Sequence, residues 1–209
     1  MIEEKTIPSM TSEVVHDYLR QIGENWKGQG CAMELGCWLG ASSIPLLEGL
    51  VKAGYDLDFW AFDRWKATEF QIYEAGAVGV KLKLGEDLSE RYYENVSEAY
   101  DEILTFPGSI PDSLANFSGE PIEICIFDAP KKNPVFIKSI EALYKYWIPG
   151  VTILGLLDYY FYAAKVGDNR EDLKIPVRFM EGYSECFTRL EKFPSTGPAF
   201  FRYEKELDL

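Results

Sequence analysis

The sequence predicts an α/β fold, a doubly wound and mostly parallel sheet that ends in an antiparallel hairpin. Apolar runs of strand length alternate with segments of helical spacing five times along the chain, which is typical of a parallel sheet covered by helices. Two further runs alternate around a Pro/Gly turn near the C-terminus, as the strands of a hairpin do. The 209 residues suit one domain, and we expect a helical cap over 1–28 and a sheet core over 29–209.

Each element is predicted from its own local pattern. Val14, Tyr18 and Ile22 recur at helical spacing and predict a helix over 11–26 that forms part of a lid. The first predicted strand starts at Cys31. The other predicted strands cover 56–63, 102–106, 121–128, 151–158, 186–193 and 199–203. Further helices are predicted from about 43 to 53, over 88–100, over 110–116, from 136 to 147 and over 177–181.

Composition narrows the function classes. The net charge of -13 argues against a nucleic-acid partner, which selects a basic face, and against an anionic membrane surface. The charged N-terminus lacks the apolar core of a signal peptide, and no run approaches the ~18 apolar residues of a membrane span. The four cysteines form no C-x-x-C pair and sit mostly in apolar runs, which favours reduced, buried thiols in a cytoplasmic protein.

The most informative motif is Glu34-x-Gly36-x-x-x-Gly40-x-Ser42. It joins a strand to a helix start, a geometry that presents backbone N–H groups to a ligand. A dinucleotide turn needs a second glycine where this chain has Trp38, and a phosphate-binding P-loop needs a lysine that is absent. With these two turns excluded, the motif suits a nucleoside ligand without a pyrophosphate, for which S-adenosylmethionine is the obvious candidate. The alternative is an ordinary strand-to-helix turn.

Three aspartates end predicted strands. Asp63 follows the second strand, 23 positions after Gly40, where an acid can accept hydrogen bonds from both ribose hydroxyls. The alternative for Asp63 is a solvated turn residue. Asp128 and Asp158 end the fourth and fifth strands, at the edge where open α/β sheets bind ligands.

The chain resembles the class I S-adenosylmethionine-dependent methyltransferases, and within them the macrocin O-methyltransferase family, which methylates sugar hydroxyls of natural products. The likeness lies in four ordered segments that span most of 31–160. The first three are Glu34–Ser42, Trp60–Trp65 and Gly108–Leu114. The fourth combines Ile126–Asp128 with the stretch that runs from Pro149–Val151 to Leu157–Tyr159.

The resemblance implies a Rossmann-like methyltransferase fold and a set of binding residues. Gly36 and Gly40 would shape the methyl-donor turn that starts at Glu34, Ser42 would lie near the methionine end, and Asp63 would hold the ribose. The residues implied near the adenine are Gly108, Ser109 and Asp112. The resemblance also implies a divalent metal, Mg²⁺, on Asp128 and Asp158, where it would lower the pKa of an acceptor hydroxyl.

The chain departs from that family at the implied metal site. The family ends its fifth strand with two adjacent acids, whereas this chain has only Asp158 there. Lys131 and Lys132 follow the fourth strand, where the family has another acid and an aromatic residue. Three options stay open: a weakly held Mg²⁺, a metal-free site in which Asp128 or Asp158 takes the proton, and a lysine in the electrostatic place of the metal.

These observations predict an S-adenosylmethionine-dependent O-methyltransferase that acts on a small hydroxylated acceptor such as a sugar, with homo-oligomerisation open. One alternative is a methyltransferase-like domain without catalysis that serves as a binding or assembly module. A nicotinamide-dependent oxidoreductase is a third option, which Trp38 weakens.

Overall fold

A single seven-stranded sheet forms the centre of the molecule. The computed structural model describes residues 7–54, 58–100, 102–161, 171–193 and 197–209. The strands are β1 (Cys31–Leu35), β2 (Phe59–Asp63), β3 (Ile103–Pro107), β4 (Ile122–Phe127), β5 (Ile153–Leu156), β6 (Phe187–Lys192) and β7 (Ala199–Tyr203). The α-helices are α1 (Glu13–Glu24), α2 (Ser43–Ala53), α3 (Glu69–Ala77), α4 (Ser89–Val96), α5 (Val135–Leu143) and α6 (Ile175–Gly182).

The strand order confirms the predicted fold class. The order is β3-β2-β1-β4-β5-β7-β6, and β1 to β5 pair in parallel. Because β7 is antiparallel to both β5 and β6, β6 runs in the same direction as β1 to β5. The hairpin therefore places one antiparallel strand, β7, between β5 and the edge strand β6. The chain builds outward in both directions from β1, so the switch point of the sheet lies between β1 and β4.

Strands β1, β2 and β4 are buried along their whole length, because helices cover both faces of the sheet. Alternate side chains enter two separate cores: Ala32 lies in one of them, and Met33 and Leu35 lie in the other. All four cysteines are buried free thiols. Within the described ranges, no helix is long and apolar enough to cross a membrane.

Most predicted elements are present but shorter than predicted. The predicted helix over 110–116 is a 3-10 turn at Asp112–Asn116, and the start of the predicted strand 56–63 lies partly outside the described residues. Helix α3 was missed. Its N-terminal signal is a capping box in which Thr68 and Gln71 bond each other's backbone N–H groups.

Helix α1 packs closely on α2 through two glycines. A Cβ added at Gly49 would lie 2.1 Å from the carbonyl oxygen of Arg20, and one at Gly23 would lie 2.5 Å from that of Leu46. An ion pair at 2.8 Å joins Arg20 to Glu48 beside this crossing. Helix α1 is thus anchored on α2, and its predicted role in a lid stays a prediction.

Candidate functional site

The carboxyl ends of the parallel strands place three acids at one edge of the sheet. Leu35 is in register with Phe62 on one side and with Phe127 on the other, and Phe127 is in register with Leu156. Asp63 and Asp128 are each one residue from this row, and Asp158 is two residues past it. Asp128 and Asp158 therefore follow neighbouring strands, and Asp63 lies at the same edge on the other side of β1.

The turn after β1 depends on glycine at two positions. Gly36 has φ +100°, and a Cβ there would lie 2.5 Å from the backbone nitrogen of Ala129, just past β4. Gly40 has φ +92°, and its Cβ would meet Val96 of α4 at 2.6 Å. Both glycines let neighbouring protein segments approach the turn, and this packing gives the turn its shape.

Glu34 is buried beneath this turn. Its carboxylate accepts hydrogen bonds from the hydroxyls of Ser42 and Ser43, and Ser43 in turn accepts one from Tyr92 at 3.3 Å. Burial raises the pKa of Glu34 to about 7, although the two serine hydrogen bonds oppose the shift. The Ser42 hydroxyl, predicted near the methionine end of the donor, is directed at Glu34.

Asp63 joins the turns after β1 and β2. Its Oδ2 accepts the backbone N–H of Trp38 at 3.0 Å, and its Oδ1 accepts that of Trp65 at 2.7 Å. Both tryptophans have positive φ, 44° and 42°, which non-glycine residues rarely adopt. The carboxylate thus holds two strained turns while each oxygen keeps a second lone pair.

The loop after β3 completes this side of the edge. Gly108 donates its backbone N–H to the carbonyl oxygen of Asp63 at 2.9 Å, which fixes the loop beside β2. Ser109 and Asp112, predicted near the adenine, are exposed. The buried hydroxyl of Ser113 has no hydrogen-bond partner in the described part of the chain. Most buried polar side-chain atoms in proteins are hydrogen-bonded, so the Ser113 hydroxyl is an exception in this loop.

Asp128, Lys131 and Asp158 form the other side of the edge. The Lys131 ammonium donates a hydrogen bond to Asp158 Oδ2 and lies 4.9 Å from the centre of the Phe161 ring. The surrounding protein and then the charge of Asp158 raise the pKa of Asp128, and Lys131 opposes this shift. Glu34 and Asp63 raise it further, so the four acids share one electrostatic environment.

The residues present do not fit a magnesium site. In the described ranges, no three His, Cys, Asp or Glu side chains are grouped to hold a metal ion. Mg²⁺ takes oxygen ligands in octahedral geometry, whereas here an ammonium already contacts Asp158. A divalent ion on this carboxylate would lie beside a fixed positive charge, and like charges at about 4 Å repel by several kcal/mol.

No protein-family model and no curated protein sequence matches this chain. Several solved structures do. The O-methyltransferase NovP superposes with a TM-score of 0.68 at 14% identity, over 96% of this chain and 84% of NovP. The methyltransferase PaMTH1 of Podospora anserina, bound to SAH, gives 0.62 at 13% identity, over 94% and 80%.

The chain has the methyltransferase fold. MycE of the mycinamycin biosynthetic pathway, in complex with Mg and SAH, also matches with a TM-score of 0.52 at 14% identity. That match covers 90% of this chain but 48% of MycE. At these sequence identities the structural similarity establishes the fold and does not establish the activity.

The sequence predicts which segments lie along this edge but not several of the contacts within them. The sequence indicates Trp38 only as an obstacle to a dinucleotide, yet its backbone N–H donates a hydrogen bond to Asp63. Ser113 carried no signal, because a single serine in a short polar segment is ordinary. Tyr92 lies in the predicted helix over 88–100, and nothing in the pattern of that helix assigns the tyrosine a contact with Ser43. Lys131 was named as one of two candidate lysines, and the structure distinguishes it from the exposed Lys132.

Proposed function

We propose that this protein is an S-adenosylmethionine-dependent O-methyltransferase acting on a small hydroxylated acceptor. The observation that carries the proposal is Asp63, whose carboxylate joins the turns after β1 and β2 at the switch point of the sheet. In a fold of this type a nucleoside binds across those turns. The acceptor would then lie toward Asp128 and Asp158, across the switch point.

On the donor side, this chain's residues would bind and orient the nucleoside. Asp63 would accept from the ribose hydroxyls with its remaining lone pairs, as predicted from its position. Gly108, Ser109 and Asp112 would flank the adenine, next in sequence to Ser113, whose buried hydroxyl has no partner among the described residues. Gly36, Gly40, Glu34 and Ser42 would hold the turn in shape. When bound, the donor supplies a methyl group on a positively charged sulfur.

On the acceptor side, Asp128 would take the proton of the hydroxyl. Its raised pKa makes its carboxylate a stronger base than an ordinary aspartate. The acceptor oxygen would lose its proton to Asp128 and bond the methyl carbon. The electron pair of the broken S–C bond would stay on sulfur, and the proton would pass on to water.

The alternative of a binding or assembly module without catalysis has less support. A module of that kind would need no acid of raised pKa beside a charged lysine at the ligand edge. A sugar is one acceptor class that fits the proposal, and a cytoplasmic location and a homo-oligomer are compatible with it.

The test is methyl transfer by the full chain. The protein is incubated with S-adenosylmethionine and a panel of sugars, phenols and other hydroxylated compounds, and products are identified by mass spectrometry. We expect one acceptor class to gain a single methyl group on oxygen. Asp128→Asn should lose most of this activity, whereas the exposed Asp58→Asn, at the opposite end of the sheet, should keep it. Donor binding without any product across the panel would favour the module instead.

A further inference from the structure

We infer that Lys131 supplies the fixed positive charge of the acceptor site and that methyl transfer there needs no divalent metal. The inference rests on the proposed function and states how the same site handles the charge of the acceptor oxygen. It follows from where the Lys131 ammonium lies relative to the two strand-end acids.

A tight turn brings Lys131 back toward β5. The chain leaves β4 at Asp128, whose backbone N–H donates to the carbonyl oxygen of Leu35 at 2.9 Å. Two residues later Pro130 is buried, and the N–H of Lys131 donates to the carbonyl oxygen of Ala129 at 2.9 Å. The backbone of this loop is thereby fixed, and Lys131 reaches across to the residues that follow β5.

Two groups in the described part of the chain hold the Lys131 ammonium. Asp158 accepts one of its hydrogen bonds, and the Phe161 ring lies 4.9 Å away, where its face attracts a cation. An ammonium has three N–H donors, and Asp158 is the one acceptor that Lys131 contacts among the described residues, so these residues leave donors for a ligand. The side chains of Lys131 and Asp158 are 33% and 21% exposed, so an acceptor can reach both of them.

This arrangement provides what a bound cation would provide. As the acceptor hydroxyl loses its proton, negative charge develops on its oxygen, and the ammonium stabilises that charge through a charge-assisted hydrogen bond. The proton goes to a carboxylate of the site, the oxygen–methyl bond forms as the sulfur–methyl bond breaks, and the products are a methyl ether and S-adenosylhomocysteine. No step requires a metal ion.

Lys132 offers a matched control. It is the next residue in the same loop and carries the same charge, but it is exposed. Lys131→Met removes the charge while keeping much of the apolar stem, and Lys132→Met does the same one residue away. Lys131→Arg keeps the charge and the hydrogen-bond donors. Thermal unfolding of all three variants shows that each is folded before activity is compared.

The first measurement uses Mn²⁺ as a probe, followed by electron paramagnetic resonance, with no methyl donor present. We expect wild-type protein and Asp158→Asn to bind Mn²⁺ alike, because the ammonium already occupies the Asp158 carboxylate. A Mn²⁺ site that is present in the wild type and lost in Asp158→Asn would overturn the inference.

The second measurement is methyl transfer with and without EDTA. We expect EDTA to leave the rate unchanged and Lys131→Met to lower kcat about 100-fold, the scale of losing one charge-stabilising donor. S-adenosylhomocysteine affinity should not change, Lys131→Arg should recover part of kcat, and Lys132→Met should match the wild type. Loss of transfer in EDTA, or wild-type kcat in Lys131→Met, would contradict it.

These two measurements separate the inference from the proposed function. If the folded wild type binds no S-adenosylhomocysteine, the proposed function fails, and the Mn²⁺ result still reports on the Lys131–Asp158 pair. If the donor binds and transfer occurs but depends on a metal, the proposed function stands and the role of Lys131 is wrong.

Discussion

At the scale of single residues, Glu34 shows how a sequence motif can be placed correctly and understood only in part. The motif located the turn, but the sequence could not show that both carboxylate oxygens bind serine hydroxyls of the following helix start. The same limit applies to Asp63, whose strand-end position was predictable. Its bonds to two backbone N–H groups depend on the φ angles of Trp38 and Trp65, which no periodicity encodes.

The raised pKa of Glu34 predicts a particular pH dependence of stability. The pKa is about 7 in the folded protein against 4.5 for a free glutamate, so the folded state binds more protons between these values. The contribution of Glu34 to stability therefore falls as pH rises from about 4.5 to 7 and levels off above. The side chain in Glu34→Gln cannot titrate. As pH rises over this range, the free energy of unfolding of the variant minus that of the wild type should therefore increase by up to about 3 kcal/mol.

Urea unfolding of both proteins from pH 5 to 8 measures this difference. Titration of the groups that Glu34 does not affect cancels in this comparison. The charge of Glu34 also raises the pKa of Asp128, so the difference includes the smaller response of that aspartate. The exposed Glu90, in the first turn of α4, provides the control Glu90→Gln. A difference between Glu34→Gln and wild type that stays constant with pH would show that Glu34 is not held in this buried, proton-binding state.

At the scale of elements, the turn after β1 is specified by contacts with segments that are distant in sequence. Periodicity predicted β1 and α2 because each has a local pattern. It could not show that Gly36 is required by the backbone after β4, since that contact joins residues far apart in the chain. Helix α3 was missed for the opposite reason: only Ala75 is buried on it, so its sequence lacks an apolar face.

The turn predicts contrasting effects for two glycine substitutions. Gly36→Ala adds a Cβ 2.5 Å from the nitrogen of Ala129 at φ +100°, and should destabilise the protein by about 2–4 kcal/mol. Gly76→Ala, inside α3, meets nothing within 4 Å and should stabilise it by about 0.5–1 kcal/mol. Thermal unfolding checks both, and equal effects from the two substitutions would contradict the packing described for the turn.

At the scale of the whole molecule, the alternation of apolar runs was enough to predict the sheet and its terminal hairpin. Five parallel strands with helical crossovers leave few possible topologies, because such crossovers are right-handed. The position of β7 between β5 and β6 could not be predicted from the sequence, because either strand of a hairpin can pair with the edge strand of a sheet. The acceptor pocket could not be predicted from the sequence either, because such pockets depend on loop geometry.

The topology brings the turns after β1, β2 and β3 together on one side of the switch point, where we propose that the nucleoside of the methyl donor binds. Isothermal titration of the full chain with S-adenosylhomocysteine tests it directly. We predict one site per chain, affinity at least about 10-fold weaker in Asp63→Asn, the scale of one charge-assisted hydrogen bond, and unchanged affinity in Asp58→Asn. No binding by the folded wild type, or equal affinity in Asp63→Asn, would contradict it.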